Sequence, residues 1–368
     1  MSRRTLFALI VINTALYAAL AVLYPLAQGL PNPRKMWAQQ VNGTAIIGVA
    51  HVAIYVVLFA AYVIGVHQIC RRKAAAPVQS RAFVHPAGLP LAIATGWMLC
   101  SLVSLFIFPG ESADIFDYIF RGRMMIEYGL SPLSTTPFQI NGMPFHRYVS
   151  WTQWVDAYGP LWEYASAGVA WGTRLLISPA EALVRINQTC DAQPAVCTLL
   201  AKYVIGYRLL AIGLTGLCGG LIWAIVKQPT LSPEPDEGSM GQTSSTIMST
   251  GMSTGALCIW LWNPLVIIST AVGAHNDVLM LVFVLLAIWL GQRDRWVLAL
   301  LALFAAAHVK LTALVLLPVL CLWLAQRLGW VRAIGVTLGS IATALPISFA
   351  LYAPLGGWAT LPRNLYER

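Results

Sequence analysis

The chain has 368 residues, 58% of them hydrophobic and 10% charged, with a mean hydropathy of +0.70 and a net charge of +9. Soluble domains carry roughly 25% charged residues, so a single soluble globular domain is excluded. The positive balance fits cationic loops that hold helices against anionic lipid. No basic stripe with interleaved aromatics supports a nucleic-acid partner.

A bilayer core takes about 20 apolar residues per helix, and long apolar blocks recur along the chain. Met1 to Arg4 precede the first of them. A cleaved signal peptide has a shorter apolar core, so Leu6–Gln28 reads as a retained first helix. Ala45–Cys70, Leu89–Phe108, Tyr203–Val226 and Gly255–Val272 follow, then Val278–Leu290, Trp296–Ala307, Leu311–Leu324 and Ala333–Tyr352. Trp296–Ala307 and Leu311–Leu324 are shorter than a full span, as helices that end in a cavity often are. The expected fold is all-α: a polytopic transmembrane helical bundle of about 9–10 helices. Residues 1–86 hold the first two helices and a cytosolic loop. Residues 87–368 hold the rest, including a long outer loop over 110–200.

Orientation follows the positive-inside rule. Arg3 and Arg4 start inside, and Arg71, Arg72, Lys73 and Arg81 fill an inside loop. Arg293 with Arg295, and Arg327 with Arg332, mark two more. Counting between them puts Ala274, His275, Asn276 and Asp277 outside, together with Cys190 and Cys197. Leu161–Ile177 then lies along the outer leaflet without crossing, although Arg174 and Arg185 would suit a cytosolic loop. A disulfide between Cys190 and Cys197 and two free thiols are both open. The other five of the seven cysteines lie in or beside apolar helices, where Cys acts as a small hydrophobe. Leu231–Thr254, rich in Ser, Thr, Gly and Pro, reads as a mobile linker. The glycosylation sequons at Asn42 and Asn187 fall outside and recur often by chance.

Ionisable groups at membrane depth cost about 2.5–3.5 kcal/mol each on insertion scales, and those that persist tend to face a wet cavity. Three groups stand out. Asp114 and Asp117 follow the third helix and share a helical face, with Arg121 on the same side and Arg123 beyond it. A capped amphipathic helix, with Ser112 or Asp114 as the cap, accounts for this spacing equally well. His275, Asn276 and Asp277 interrupt two apolar helices, where capping needs only one such residue. His308 and Lys310 lie at the outer turn of two short helices, where snorkelling is the simple alternative for the lysine. In this threading all three groups share one membrane face. A carboxylate there can take a proton from an acceptor hydroxyl, and Lys, Arg and His can stabilise a departing phosphate. Trp151, Trp154, Tyr158 and Trp162 offer faces for sugar rings, or form an interfacial aromatic belt.

The order of these motifs is familiar. Ser112 to Tyr118, then Gly122, Arg123 and Tyr128 to Pro132, resembles the first outer loop of the GT-C glycosyltransferases. Tyr158 to Trp162, Trp262 to Leu265, Gly273 to Asp277 and His308 to Thr312 complete the resemblance, which runs from about Leu89 to Tyr352. Among these glycosyltransferases the chain resembles the polyprenol-phosphate-dependent mannosyltransferases. That resemblance implies a GT-C catalytic module over 87–368, a polyprenyl-phosphate-sugar donor, a lipid-linked or glycan acceptor and an inverting displacement on the non-cytosolic face. It implies Asp114 as catalytic base, Asp117 as the second candidate, and His308 and Lys310 at the donor phosphate. Arg121 and Arg123 would compensate phosphate charge, while Tyr158, His275, Asn276 and Asp277 would line the site. The acidic pair is spaced Asp-x-x-Asp where the family has Asp-x-Asp, so no metal or other cofactor is expected. The chain is also short for the family. The expected setting is a bacterial plasma membrane, in a multi-pass protein whose site faces the periplasm or exterior. The rival class, a transporter or flippase, should carry repeat-related halves with broken helices in matching places; no such symmetry is visible.

Overall fold

The computed structural model describes residues 3–33, 35–36, 45–70, 88–140, 142–182, 184, 190, 193–227 and 252–359. The basic loop carrying Arg71, Arg72, Lys73 and Arg81, the sequons at Asn42 and Asn187, and the expected linker up to residue 251 lie outside them.

The described chain is all-α. Helices α1 (Arg3–Leu23), α2 (Ala45–Cys70) and α3 (Gly88–Ser104) come first. Then follow α4 (Asp114–Tyr128), α5 (Pro160–Arg174) and α6 (Pro194–Lys227). The remainder is α7 (Met252–Leu261), α8 (Pro264–Val272), α9 (Asp277–Gly291), α10 (Trp296–Ala307), α11 (Leu317–Leu328) and α12 (Trp330–Tyr352). Among the described residues no strand forms; a single bridge joins Pro25 and Ile107.

Among the described residues, five helical stretches are long and apolar enough to cross a membrane: α1, α2, α6, Leu311–Leu328 and Trp330–Leu355. The α7–α8 pair qualifies as a sixth if it counts as one span, and α3, α9 and α10 are shorter apolar helices. The protein is therefore a polytopic membrane protein. Its lipid-facing surface is visible on α2, where Ile46, Val49, Val52, Val56 and Val63 are all exposed. In water such a stripe invites aggregation; in lipid it is the solvated face.

Two breaks differ from the sequence expectation, each with a local cause. The first helix stops at Leu23 rather than Gln28, because Pro25 cannot continue it and a single turn, Leu26–Gly29, follows. The stretch read as one helix over Gly255–Val272 is two helices bent by 51°. Asn263 accepts a hydrogen bond from the Leu265 N–H at 3.0 Å, capping α8, and Pro264 occupies its first turn. The stretch from Leu311 runs on to Leu328, its first turns wound as a 3-10 helix over Leu311–Leu316.

Helix α5 is not among the helices long enough to cross. It packs against α4 and α6, burying Glu163, Ser166 and Thr173. Cys190 and Cys197 form a disulfide ahead of and within the first turn of α6.

Several long-range bonds bring one end of the bundle together. The Leu26 N–H donates to the Phe106 carbonyl and the Phe108 N–H to the Tyr24 carbonyl, each at 2.8 Å, tying the end of α1 to the end of α3. The loop between α4 and α5 is fastened to the ends of α10 and α12. Gly129 closes α4 in the left-handed conformation (φ 65°). Ser131 Oγ then donates to the Leu355 carbonyl at 2.8 Å. The N–H groups of Gly159 and Leu161 donate to the carbonyls of Val309 and His308, both at 3.0 Å. A Cβ at Gly159 would lie 2.1 Å from the His308 carbonyl oxygen, so only glycine permits this approach.

Candidate functional site

A cavity of about 400 Å³ opens where these ends meet. Asp114, Asp117, Tyr118 and Arg121 from α4 line one side, and Trp151, Trp154, Asp156 and Tyr158 from the loop before α5 line the other. Asp114 begins α4, and its backbone N–H is taken by Ser112 Oγ at 3.1 Å. Its side chain is 29% exposed, and its carboxylate lies 3.6 Å from His275 Nδ1.

His275 reaches this position through an irregular backbone. The last turn of α8, Ile268–Val272, is a π-helix, and Ala274 takes a positive φ of 52°. Both features are uncommon and concentrate at functional sites. The His275 N–H closes the turn on the Ser269 carbonyl at 3.0 Å. Asn276 makes no side-chain cap on α9; it is fully buried, with neither amide atom hydrogen-bonded. Asp277 pairs instead with Lys310, at 2.7 Å from Nζ. Capping therefore does not explain this trio, and snorkelling does not explain the lysine. Lys310 Nζ also lies 5.8 Å from the centre of the Tyr158 ring, within cation–π reach. The Tyr158 and Tyr118 hydroxyls are 3.4 Å apart. His308 caps the end of α10 and bonds Ser348 Oγ at 2.6 Å, its ring edge-on to Tyr352.

The structure thus sets His275 beside Asp114 and the Lys310–Asp277 pair beside Tyr158, while Asp117 and Arg121, which also line the cavity, and Arg123 are buried and already partnered. Asp117 is buried and accepts the backbone N–H groups of Ser150 and Trp151, both at 3.2 Å. Burial pushes its carboxyl up to about 6, against the pull of Arg121 and of the two backbone bonds. Arg121 is buried, 3.4 Å from Asp156, and donates to the Trp154 carbonyl at 3.1 Å. Arg123 is also buried. It forms a bidentate pair with Glu127 at 2.6 and 2.8 Å and donates to the Pro144 carbonyl at 3.0 Å. It does not line the 400 Å³ cavity.

Sequence reading passed over three groups here. Asp156 shares Arg121 with Asp117. Glu163 is fully buried on α5, and burial first, then the neighbouring Asp156, pushes its carboxyl well above the usual range. Arg208, at the middle of α6, is fully buried and donates to the carbonyls of Leu105 at 2.6 Å and Val272 at 2.9 Å. It fastens the end of α3 to the π-turn that carries His275. A lone cation inside an apolar run was the available signal for Arg208, by the reasoning that singles out Lys310. Among the described residues, no group of three or more His, Cys, Asp or Glu side chains could hold a metal ion.

Fold and site together define a polytopic, all-α membrane protein with a charged cavity at one end of its helices. Residues 248–326, about a fifth of the chain, match the family model described as alpha-(1->6)-mannopyranosyltransferase, N-terminal domain. This membrane-embedded match supports glycosyltransferase activity. It contains the Asn263–Pro264 break, the His275–Asp277 trio and the His308–Lys310 turn, whereas Asp114 lies outside it. No curated protein and no solved structure shows significant similarity to the chain.

Proposed function

We propose that the protein transfers a hexose, mannose first among the candidates, from a polyprenyl-phosphate-sugar donor to a lipid-linked or glycan acceptor on the non-cytosolic face of a bacterial plasma membrane. The reading rests on one observation: Asp114 and Tyr158 line the cavity, His275 stands beside Asp114, and Lys310, paired with Asp277, lies against the Tyr158 ring.

In the displacement, the acceptor oxygen forms a bond to the anomeric carbon while the bond from that carbon to the phosphate oxygen breaks, inverting the centre. Asp114 takes the acceptor's hydroxyl proton. It has the access a base needs, and His275 stands beside it to orient the carboxylate. The departing phosphate carries away the bonding pair, and Lys310 stabilises the charge that develops. Asp277 holds Lys310 in place before the donor arrives, and the phosphate then shares the ammonium with it. His308 sets the turn from which Lys310 projects, and Asn276, buried next to Asp277 in the chain, completes the trio. The aromatic faces of Trp151, Trp154 and Tyr158 suit the apolar face of a sugar ring. Asp117, Arg121 and Arg123 act here by holding the loop and α4 in register, with Arg121 adding positive potential behind the cavity.

The test uses purified full-length protein in lipid nanodiscs with polyprenyl-phosphate mannose and a panel of glycan acceptors. Product formation by the native chain and its loss in Asp114→Asn, with an unchanged melting temperature, is the expected result. Full transfer by that variant removes Asp114 from the mechanism and overturns the reading.

A further inference from the structure

A second pocket, of about 130 Å³, lies between the first two helices and the segment that leads into α4. Its polar wall is Tyr24, just past α1, His51 and Tyr55 on α2, and Glu111. His51 and Tyr55 are four residues apart and share a helix face, with their rings stacked 4.8 Å apart. His51 Nδ1 lies 3.1 Å from the Tyr24 hydroxyl, and the Tyr55 hydroxyl donates to Glu111 Oε1 at 3.0 Å. His51 and Tyr55 are unusual furnishings for a membrane-spanning helix, where each polar group has to be compensated, and Tyr24 and Glu111 meet them from beyond the helix ends. Nothing in the reaction outlined above uses them.

The pocket adjoins the reaction site through the π-turn that leads to His275: Ile268 and Val272 of that turn line it, and the His275 imidazole lies 3.6 Å from Asp114. Glu111 faces the small pocket and Asp114, three residues on, faces the large cavity. The base therefore stands at the border between the two spaces.

The chemistry of the wall limits the occupant. Among the described residues that line it there is no Lys or Arg, and Glu111 contributes a carboxylate, so a phosphate or carboxylate ligand is disfavoured. Phenol, imidazole and carboxylate side by side supply both donors and acceptors, as a ring of hydroxyls requires. Pockets for drug-sized ligands run to roughly 300–1,000 Å³, so this one suits a single ring rather than a lipid. We propose that Tyr24, His51, Tyr55 and Glu111 form an acceptor subsite that binds one neutral hexose ring and presents its hydroxyl toward Asp114. The assignment as acceptor site rests on the glycosyltransfer reading; the hexose binding does not.

The experiment separates the two. Saturation-transfer NMR is recorded on the full chain in nanodiscs with methyl α-mannopyranoside, methyl glucoside and methyl galactoside in turn. Saturable binding of at least one is expected, weakened about tenfold, equivalent to about 1.4 kcal/mol, by His51→Ala and by Tyr55→Phe. Tyr55→Phe keeps the ring, so a loss there with an unchanged melting curve is not a folding defect. In transfer assays with polyprenyl-phosphate mannose, both variants raise the acceptor KM about tenfold and leave the donor KM unchanged. Absence of binding by all three glycosides, or undiminished binding in both variants, overturns the subsite even where transfer is intact. Loss of the Asp114 requirement instead overturns the transfer reading and leaves the hexose binding standing. A rise in donor KM rather than acceptor KM overturns the acceptor assignment.

Discussion

Asp114 and Asp117 stand one helical turn apart on α4, yet their surroundings are opposite. Asp114 is partly exposed, faces the cavity and has a histidine beside it. Asp117 is buried, its carboxylate spent on two backbone N–H groups of the Trp151 segment and backed by Arg121. The same contrast separates Lys310, whose ammonium is about one-third exposed, from Arg121 and Arg123, whose guanidinium groups are enclosed by carboxylates and carbonyls. Shared helical spacing identifies residues that face the same way. Burial and satisfied hydrogen bonds decide which of them can still bind or react.

The sharpest way to break the comparison is to neutralise each carboxylate in turn. Asp114→Asn should lower the transfer rate about 10²–10⁴-fold, the usual contribution of a positioned base, with little change in thermal stability. Asp117→Asn should instead lower the melting temperature, because an amide oxygen replaces two acceptor oxygens and its NH2 meets N–H donors. If the two variants exchange phenotypes, the roles assigned to them are reversed.

Removing Arg121 comes next. Arg121→Met leaves Asp117 and Asp156 buried without their cation, and breaking a buried pair this way costs about 3–5 kcal/mol. Chemical denaturation in detergent micelles would register it. An unchanged midpoint would mean that the cluster adds nothing to stability.

Gly159→Ala tests the docking of the loop rather than its charges. The new Cβ must displace the His308 carbonyl or the loop itself, at about 1–3 kcal/mol as for other overpacked sites. Both the melting temperature and the transfer rate should fall, because Tyr158 and Lys310 lose their shared anchor. Retention of both would show that the loop has another seat.

A pH dependence comes last. Burial raises the Asp117 carboxyl from 3.8 to about 6, so the folded state binds its proton more tightly than the unfolded state does. Its contribution to stability is therefore fullest below about pH 4 and declines as pH rises through about 6, by on the order of 1–3 kcal/mol. The difference in melting temperature between wild type and Asp117→Asn should shift in that window and stay flat above it. A constant difference would remove the raised pKa from the account.

Much of the fold was legible because hydropathy is a local property. The apolar blocks became helices nearly where composition put them, and Pro25 and Asn263–Pro264 broke two of them for reasons written in those residues. The three polar groups were also visible, since an ionisable residue in an apolar run is conspicuous wherever it sits. Their partners were not. Asp277 meets Lys310 across 33 positions and Arg208 meets Leu105 across 103, and no short-range periodicity reports such contacts. The π-turn before His275 and the positive φ of Ala274 carry no compositional mark either.

By itself the sequence determined that this chain lives in a membrane, roughly where its apolar helices lie, and which polar residues are out of place there. Transfer of apolar segments into lipid is additive along the chain, so that much needs no knowledge of neighbours. Only the tertiary structure decided which charges are enclosed and which face open space. Desolvation and pairing depend on what the rest of the chain brings within a few ångströms, and for Asp114 and Asp117 that difference outweighs everything their common helix turn suggests.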